Sequence, residues 1–184
     1  MWKPLIGVIG LAVVGWAGQA SGAVTVIGST LAHACSKAAF DGQTARKYED
    51  LCTLALEGEL LSQRDRAGTF VNRGVLRLRR SEFLSATSDF NRAMSLRGDL
   101  GEAYVNRGAA ALGQHKFREG LNDLNKALEL GVEEPEKAYY NRALAYEGLD
   151  DLKAAYFDYQ KAVELKPEWD APKKELARFT VRRP

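Results

Sequence analysis

Between residues 67 and 169, aromatic, small and apolar side chains return at a nearly constant interval. Phe70, Tyr104 and Tyr139 each open a short stretch whose third and fourth residues are Asn and Arg and whose fifth is small: Gly74, Gly108 and Ala143. The first two stretches are 34 residues apart and the last two 35, the extra residue falling at Pro135. A matching second half follows each. Phe83, Phe117 and Leu152 correspond, then Ala86, Gly120 and Ala155, then Asp89, Asp123 and Asp158. Phe90, Leu124 and Tyr159 come next, followed by Ala93, Ala127 and Ala162, and Leu96, Leu130 and Leu165 close each unit. A fixed period of this size is the mark of one supersecondary unit stacked on copies of itself.

The apolar spacing within each half is helical. Tyr104, Gly108, Ala111 and Leu112 share one face, as do Leu121, Leu124 and Leu128 in the second half. Turn and breaker residues separate the halves at 113–116 and 148–151, and Gly98, Gly131 and Pro167 suit the unit ends. The unit is therefore a pair of helices. Gly inside a helix costs about 1 kcal/mol relative to Ala, so its recurrence in register argues for close packing of one helix on the other. Outside the array, 170–180 reads as a C-terminal capping helix, with Pro172 in its first turn and Leu176 and Phe179 packing back on the third unit. Residues 30–40 and 45–61 read as a degenerate helix pair that caps the other end, with Ala55 lying 38 residues before Ala93 rather than 34.

The pattern of an aromatic, then Gly, Ala, aromatic, Ala, and a closing Leu and Pro resembles the tetratricopeptide repeat. The resemblance runs from Ala67 to Trp169 and is most specific in the third unit, residues 137–146 and 159–167. The first unit departs from it, with Arg77 where a bulky aromatic is common and Gly98 in place of the closing Pro. It implies an all-α, right-handed α-solenoid for the body of the chain, which divides as 24–66, the N-terminal cap pair; 67–169, three repeats (67–100, 101–134 and 136–169); and 170–184, the C-terminal helix and tail; residues 1–23 read separately as a leader, on the N-terminal pattern. It also implies a non-catalytic scaffold that binds a protein or peptide along a concave groove. By position, that groove takes in Val71, Asn72 and Arg79 from the first unit, Val105 and Asn106 from the second, and Tyr140, Asn141 and Glu147 from the third. An Asn amide both donates and accepts, so three in register can clamp an extended main chain; the alternative is that they bond within the repeats. Members that hold a C-terminal carboxylate use Lys and a second Asn on this face. Val71, Val75, Val105 and Ala109 stand there instead, which argues against a carboxylate clamp.

Each unit also carries an Arg with an Asp sixteen residues later: Arg73 with Asp89, Arg107 with Asp123, Arg142 with Asp158. Sixteen residues across a short turn return the chain to the same level on the neighbouring helix, and a bidentate guanidinium–carboxylate contact suits a tie between the two. The alternative is a ladder of arginines facing an anionic ligand.

The N-terminus changes the compartment. Lys3, a 13-residue apolar run from Leu5 to Ala17 and the small residues Ser21 and Ala23 form the pattern of a secretory signal peptide cut after Ala23. The run is shorter than the ~20 residues a spanning helix needs. Between Pro4 and Ser36 there is no Asp, Glu, Lys or Arg, however, so an uncleaved anchor is the alternative. Export makes the chain periplasmic or secreted. It also makes Cys35 and Cys52, 17 residues apart on the two cap helices, a disulfide pair; the alternative is two buried thiols.

With 26 basic and 24 acidic residues in 184 there is no net-charge argument for nucleic acid. Two Cys and two His supply no metal-ligand set, and no phosphate loop or nucleophile motif occurs. His115 falls in a turn. The sequence therefore predicts a protein that is not an enzyme, with no cofactor and no metal. It is expected to be a monomer or weak oligomer that touches a membrane only if its N-terminal segment is retained. In that case it would be a structural subunit of an envelope assembly.

Overall fold

The computed structural model describes residues 3–4, 22–26 and 30–180. Most of the leader, residues 5–21, lies outside the described residues, as do 181–184. Nine helices form among the described residues: α1 (Thr30–Phe40), α2 (Arg46–Gly58), α3 (Gln63–Arg79), α4 (Phe83–Leu96), α5 (Gly101–Gly113), α6 (Phe117–Leu130), α7 (Pro135–Gly148), α8 (Leu152–Leu165) and α9 (Asp170–Leu176). A two-residue antiparallel bridge joins β1 (Lys3–Pro4) to β2 (Phe179–Thr180).

The helices pair in chain order, α1 with α2, α3 with α4, α5 with α6 and α7 with α8, and each pair packs on the next. The first helices of successive pairs also touch: α1 with α3, α3 with α5 and α5 with α7. They form the inner row of an all-helical solenoid. The small residues explain the closeness of the pairs. A Cβ on Gly74 would lie 2.5 Å from the buried ring of Phe90, and one on Gly108 would lie 2.9 Å from Leu124 Cγ. Glycines at the helix ends serve the joints between units: Cβ atoms on Gly113 and Gly148 would each lie 2.3 Å from the rings of Phe83 and Phe117. The sequence marked these two as breakers. In the fold each is also the seat for the aromatic that opens the second helix of the preceding unit.

The turn between the two helices of each unit repeats as well. Ser81, His115 and Asp150 take the left-handed region, at φ 59°, 58° and 63°. The residue after each closes the turn through its backbone N–H: Glu82 to Arg77 O, Lys116 to Ala111 O and Asp151 to Tyr146 O. His115 is thus a turn residue, exposed to solvent.

The ends differ from the sequence expectation. Helix α3 starts at Gln63 because Ser62 caps it, its Oγ accepting from Asp65 N at 3.1 Å, so the unit boundary at residue 67 falls inside a helix. Helix α9 stops at Leu176, and Phe179 belongs to β2; both side chains still pack with Trp169 against Tyr140 and Tyr159. At the other end, Glu59 caps α1 from outside, its carboxylate accepting from Leu31 N at 2.9 Å and Ala32 N at 3.1 Å. The Cys35–Cys52 disulfide ties α1 to α2, with Cα atoms 4.9 Å apart. In the chain-entropy model, closing a loop of this size contributes about 3 kcal/mol.

The glycine contacts give a direct test. Gly74→Ala should destabilise the chain by about 1–3 kcal/mol through overpacking against Phe90. Gly98→Ala, where the nearest atom to the new methyl is Met94 O at 3.7 Å, should change stability by less than about 0.5 kcal/mol. Chemical denaturation of both variants beside the parent checks it. Equal stability of the two variants would refute the steric account.

Candidate functional site

The three arginines are held alike. Arg73 donates from Nε and Nη2 to Asp89 at 3.0 and 2.8 Å, Arg107 to Asp123 at 2.8 and 2.6 Å, and Arg142 to Asp158 at 2.7 and 2.9 Å. Each Nη1 turns to the second helix of the preceding pair: Arg73 to Thr53 Oγ1 at 3.0 Å, Arg107 to Asn91 Oδ1 at 2.7 Å and Arg142 to Asn125 Oδ1 at 2.8 Å. Phe70, Tyr104 and Tyr139, three residues earlier, lie beside the guanidinium carbons, with ring centroids 5.5, 5.7 and 5.2 Å away. Hydrogen bonding to Asp123 and Asp158 holds Arg107 and Arg142 above their ordinary pKa against the opposing cost of burial. These cations are engaged inside the array. The partners on the preceding pair escaped the sequence analysis, although Asp89-x-Asn91 and Asp123-x-Asn125 repeat in register and carried the signal.

The stripe expected to line the groove lies on the inner row. Val71, Asn72, Val105, Asn106 and Asn141 are fully buried, Tyr140 nearly so, and Arg79 and Glu147 are half-buried. At the first unit the cover is the chain itself. Residues 22–26 cross α3, and Asn72 holds the main chain of Val24 from both sides: Val24 N donates to Asn72 Oδ1 at 2.8 Å, and Asn72 Nδ2 donates to Val24 O at 2.8 Å. Ser36 Oγ donates to the same carbonyl at 2.9 Å. Gly68 leaves room for this segment, since a Cβ there would lie 2.8 Å from Val24 Cγ1. Ser36 and Gly68 were not singled out by the sequence analysis, because their importance exists only once residue 24 lies across them. At the second unit Asn106 Nδ2 donates to Glu102 O, 2.8 Å away in its own helix.

At the third unit Tyr140 stacks near Trp169 and Tyr159, with centroids 4.9 and 5.6 Å away. Burial, helped by Glu175 and Glu147, pushes its phenol up to about 12. Glu147 pairs with Arg178, and Glu175 does so at 3.0 Å. Burial raises Glu175 and Tyr159 above their ordinary values. Arg79 differs from the other arginines discussed. Its Nη1 is buried with no acceptor, and burial lowers its pKa. Among the described residues no group of three His, Cys, Asp or Glu could hold a metal, and no helix is long and apolar enough to cross a membrane.

Paired helices stacked in one row, with a main-chain-binding Asn on the inner face, define a helical-repeat solenoid. The comparisons specify the repeat. Residues 136–168 match the tetratricopeptide repeat family model. The TPR domain of Arabidopsis OM64 is similar in fold, with 26% identity over 64% of this chain and 96% of that one, at a TM-score of 0.60. The second TPR domain of human RPAP3, solved in complex with the HSP70 peptide SGPTIEEVD, covers 63% of this chain and 96% of its own at 23% identity and a TM-score of 0.58. A crystal structure of MamA covers 82% of both chains at 17% identity and a TM-score of 0.64. The last two likenesses, at these identities, bear on fold alone. No curated protein sequence matches. The all-helical architecture is thus that of the tetratricopeptide-repeat solenoid.

The arginine geometry predicts an energetic coupling. Arg107 and Asp123 are 29% and 12% exposed in their side chains, so Arg107→Leu should cost about 2–4 kcal/mol by stranding a mostly buried carboxylate. In a double-mutant cycle with Asp123→Asn, the two substitutions should be non-additive by about 1–3 kcal/mol. Additivity within about 0.3 kcal/mol would show that the contact contributes nothing.

Proposed function

We propose that this chain is an exported, non-catalytic interaction module whose concave face binds an extended segment of a partner protein, in the periplasm or after secretion. One observation carries the reading: Asn72 grips the N–H and C=O of a single residue in an extended segment lying on that face. The grip recognises main chain, which every peptide offers. Asn106 and Asn141 occupy the same position in the second and third units. Arg79 adds a buried donor with no acceptor on the same stripe, suited to a carbonyl or carboxylate of the bound chain. The RPAP3 domain with its peptide adds a fold-level analogy.

Export rests on the leader pattern of residues 1–23. The absence of any Asp, Glu, Lys or Arg between Lys3 and Lys37 favours a second reading, a subunit held in a membrane by that segment. Mass spectrometry of the purified protein separates the two. A chain beginning at Val24 is expected, and Met1 retained in the membrane fraction would support the second reading.

For the groove, peptides selected from a displayed library against the purified protein should bind saturably. Asn106→Ala should weaken them roughly three- to tenfold, the loss of one or two main-chain hydrogen bonds at about 0.5–1.5 kcal/mol each. Affinity and melting temperature are measured on the same sample. A lower melting temperature with unchanged affinity would assign Asn106 to the fold and remove it from the site.

A further inference from the structure

Each unit meets the pair before it at a joint built around the repeated Arg, but the three joints are filled differently. From that difference we infer that the joint between the first and second units is a binding site for a tyrosine side chain of a partner protein. One turn after the Arg, the units carry Arg77, Ala111 and Tyr146. Arg77 fills the joint before the first unit, pairing with Glu49 at 2.7 Å and Asp89 at 2.9 Å. Half-buried Tyr146 fills the joint before the third, its ring centroid 5.9 Å from the Arg142 guanidinium carbon, with Tyr139 at 5.2 Å from the same carbon. Ala111 is too small to fill the joint between them. A cleft of about 400 Å³ stands there, walled by α4 and α6, with Arg107 and Ala111 at its floor. The floor cation registers the difference: the Arg107 side chain is 29% exposed, against 15% for Arg73 and 20% for Arg142.

The chemistry of the cleft selects its occupant. A second guanidinium, the filling of the first joint, is disfavoured by charge. Thr87 stands where Glu49 serves Arg77, Asp123 already accepts two bonds from Arg107, and Lys116 on the rim is a further cation that Glu119 only balances. A ring suits the floor, because a guanidinium attracts an aromatic face, and Tyr146 on Arg142 shows that arrangement one unit along. The rim is polar, with Gln114, Lys116, Glu119 and Asn122, so the far edge of the ring should carry a hydrogen-bonding group. Tyrosine has that combination of apolar body and polar tip. The volume exceeds one ring and leaves room for main chain beside it. The cleft opens between second helices, away from the inner row, and none of its residues belongs to 1–26, so it is the same before and after cleavage of the leader.

The test is a titration of the intact purified protein with N-acetyltyrosinamide, followed by NMR at the arginine Nε–H groups and the Ala111 methyl. The Arg107 and Ala111 signals should shift saturably, with half-saturation at roughly 1–10 mM, the strength a single side chain can supply. The Arg73 and Arg142 signals, whose joints are already filled, should stay in place. N-acetylphenylalaninamide should bind at least about threefold more weakly, for want of the hydroxyl's hydrogen bond. In Ala111→Tyr the chain supplies the ring itself, and the Arg107 signal should no longer respond. An Arg107 signal that stays still throughout the titration would overturn the proposal. So would equal shifts at all three arginines, or a folded Ala111→Tyr protein that responds as the parent does. Equal affinity for the phenylalanine compound would overturn the choice of tyrosine. Tighter binding of p-cresol than of N-acetyltyrosinamide would overturn the assignment to a protein partner in favour of a free phenol. The arms on the parent protein decide the matter even if the variant does not fold. None of them involves the inner row, so the outcome is independent of the groove reading.

Discussion

The guanidinium group of each repeat sets the spacing on which the solenoid depends. Arg107 reaches Asp123 across its own unit, Asn91 across the joint to the preceding unit, and the ring of Tyr104 one turn back along its own helix. A planar, forked cation can make these contacts together only in one orientation. The same group therefore fixes the distance between the two helices of a unit and the distance to the next unit. Lys could match neither the fork nor the third contact. The burial of the pair costs desolvation, which is tolerable because nearly every charge-assisted hydrogen bond is made. Arg73 extends the scheme into the N-terminal cap through Thr53, so the degenerate pair is riveted to the array by the same device as the regular units.

Around that fixed spacing, size complementarity does the rest. Gly74 and Gly108 admit Phe90 and Leu124 within each unit, while Gly113 and Gly148 admit Phe83 and Phe117 between units. An interior at crystal-like density tolerates neither a gap nor an extra methyl at such points. The Arg contacts and the Gly seats lie on different faces of the same helices, and together they leave a helix pair little freedom to slide. A rigid inner row is what the Asn72 clamp needs, since it holds Val24 only while Oδ1 and Nδ2 both lie at hydrogen-bond distance from that residue's main chain.

The fold was legible because its signals are local and repeated. The 34-residue period, the sixteen-residue step from Arg to Asp and the small residues in register all lie within one or two units of sequence. What stayed hidden depends on chemistry that spacing does not display. Nothing in the chemistry of Ser, His and Asp announced that Ser81, His115 and Asp150 would share a left-handed turn. Ser62 is a good helix cap, but it lies ahead of the first recognisable repeat residue, so the start of α3 was set too late. Residues 22–26 read as the end of a leader and the start of the N-terminal cap segment. Their fit against Gly68, Ser36 and Asn72 joins positions up to 48 residues apart, and no periodicity reports it. The Asn stripe itself was visible. That its first member is engaged by the chain's own backbone was not.

That engagement bears on how selective the face can be. A bidentate amide contacts main chain and a glycine excludes only bulk, so neither group distinguishes one small side chain at residue 24 from another. Tethered through α1, its own segment is at an effective concentration that a free peptide of equal quality reaches only at millimolar levels. The position is thereby taken by the chain itself, and further along the inner row the side chains differ from unit to unit. Two of these carry opposite charge and are half-buried: Glu102, which accepts from Glu133 N, and Lys137, which pairs with Glu134. Each is held by a neighbour from the α6–α7 connection, so the array's own bonds set the order of charge along this face. If the face binds a peptide as proposed, selectivity comes from charge order along it, superimposed on a main-chain grip that is indifferent to sequence.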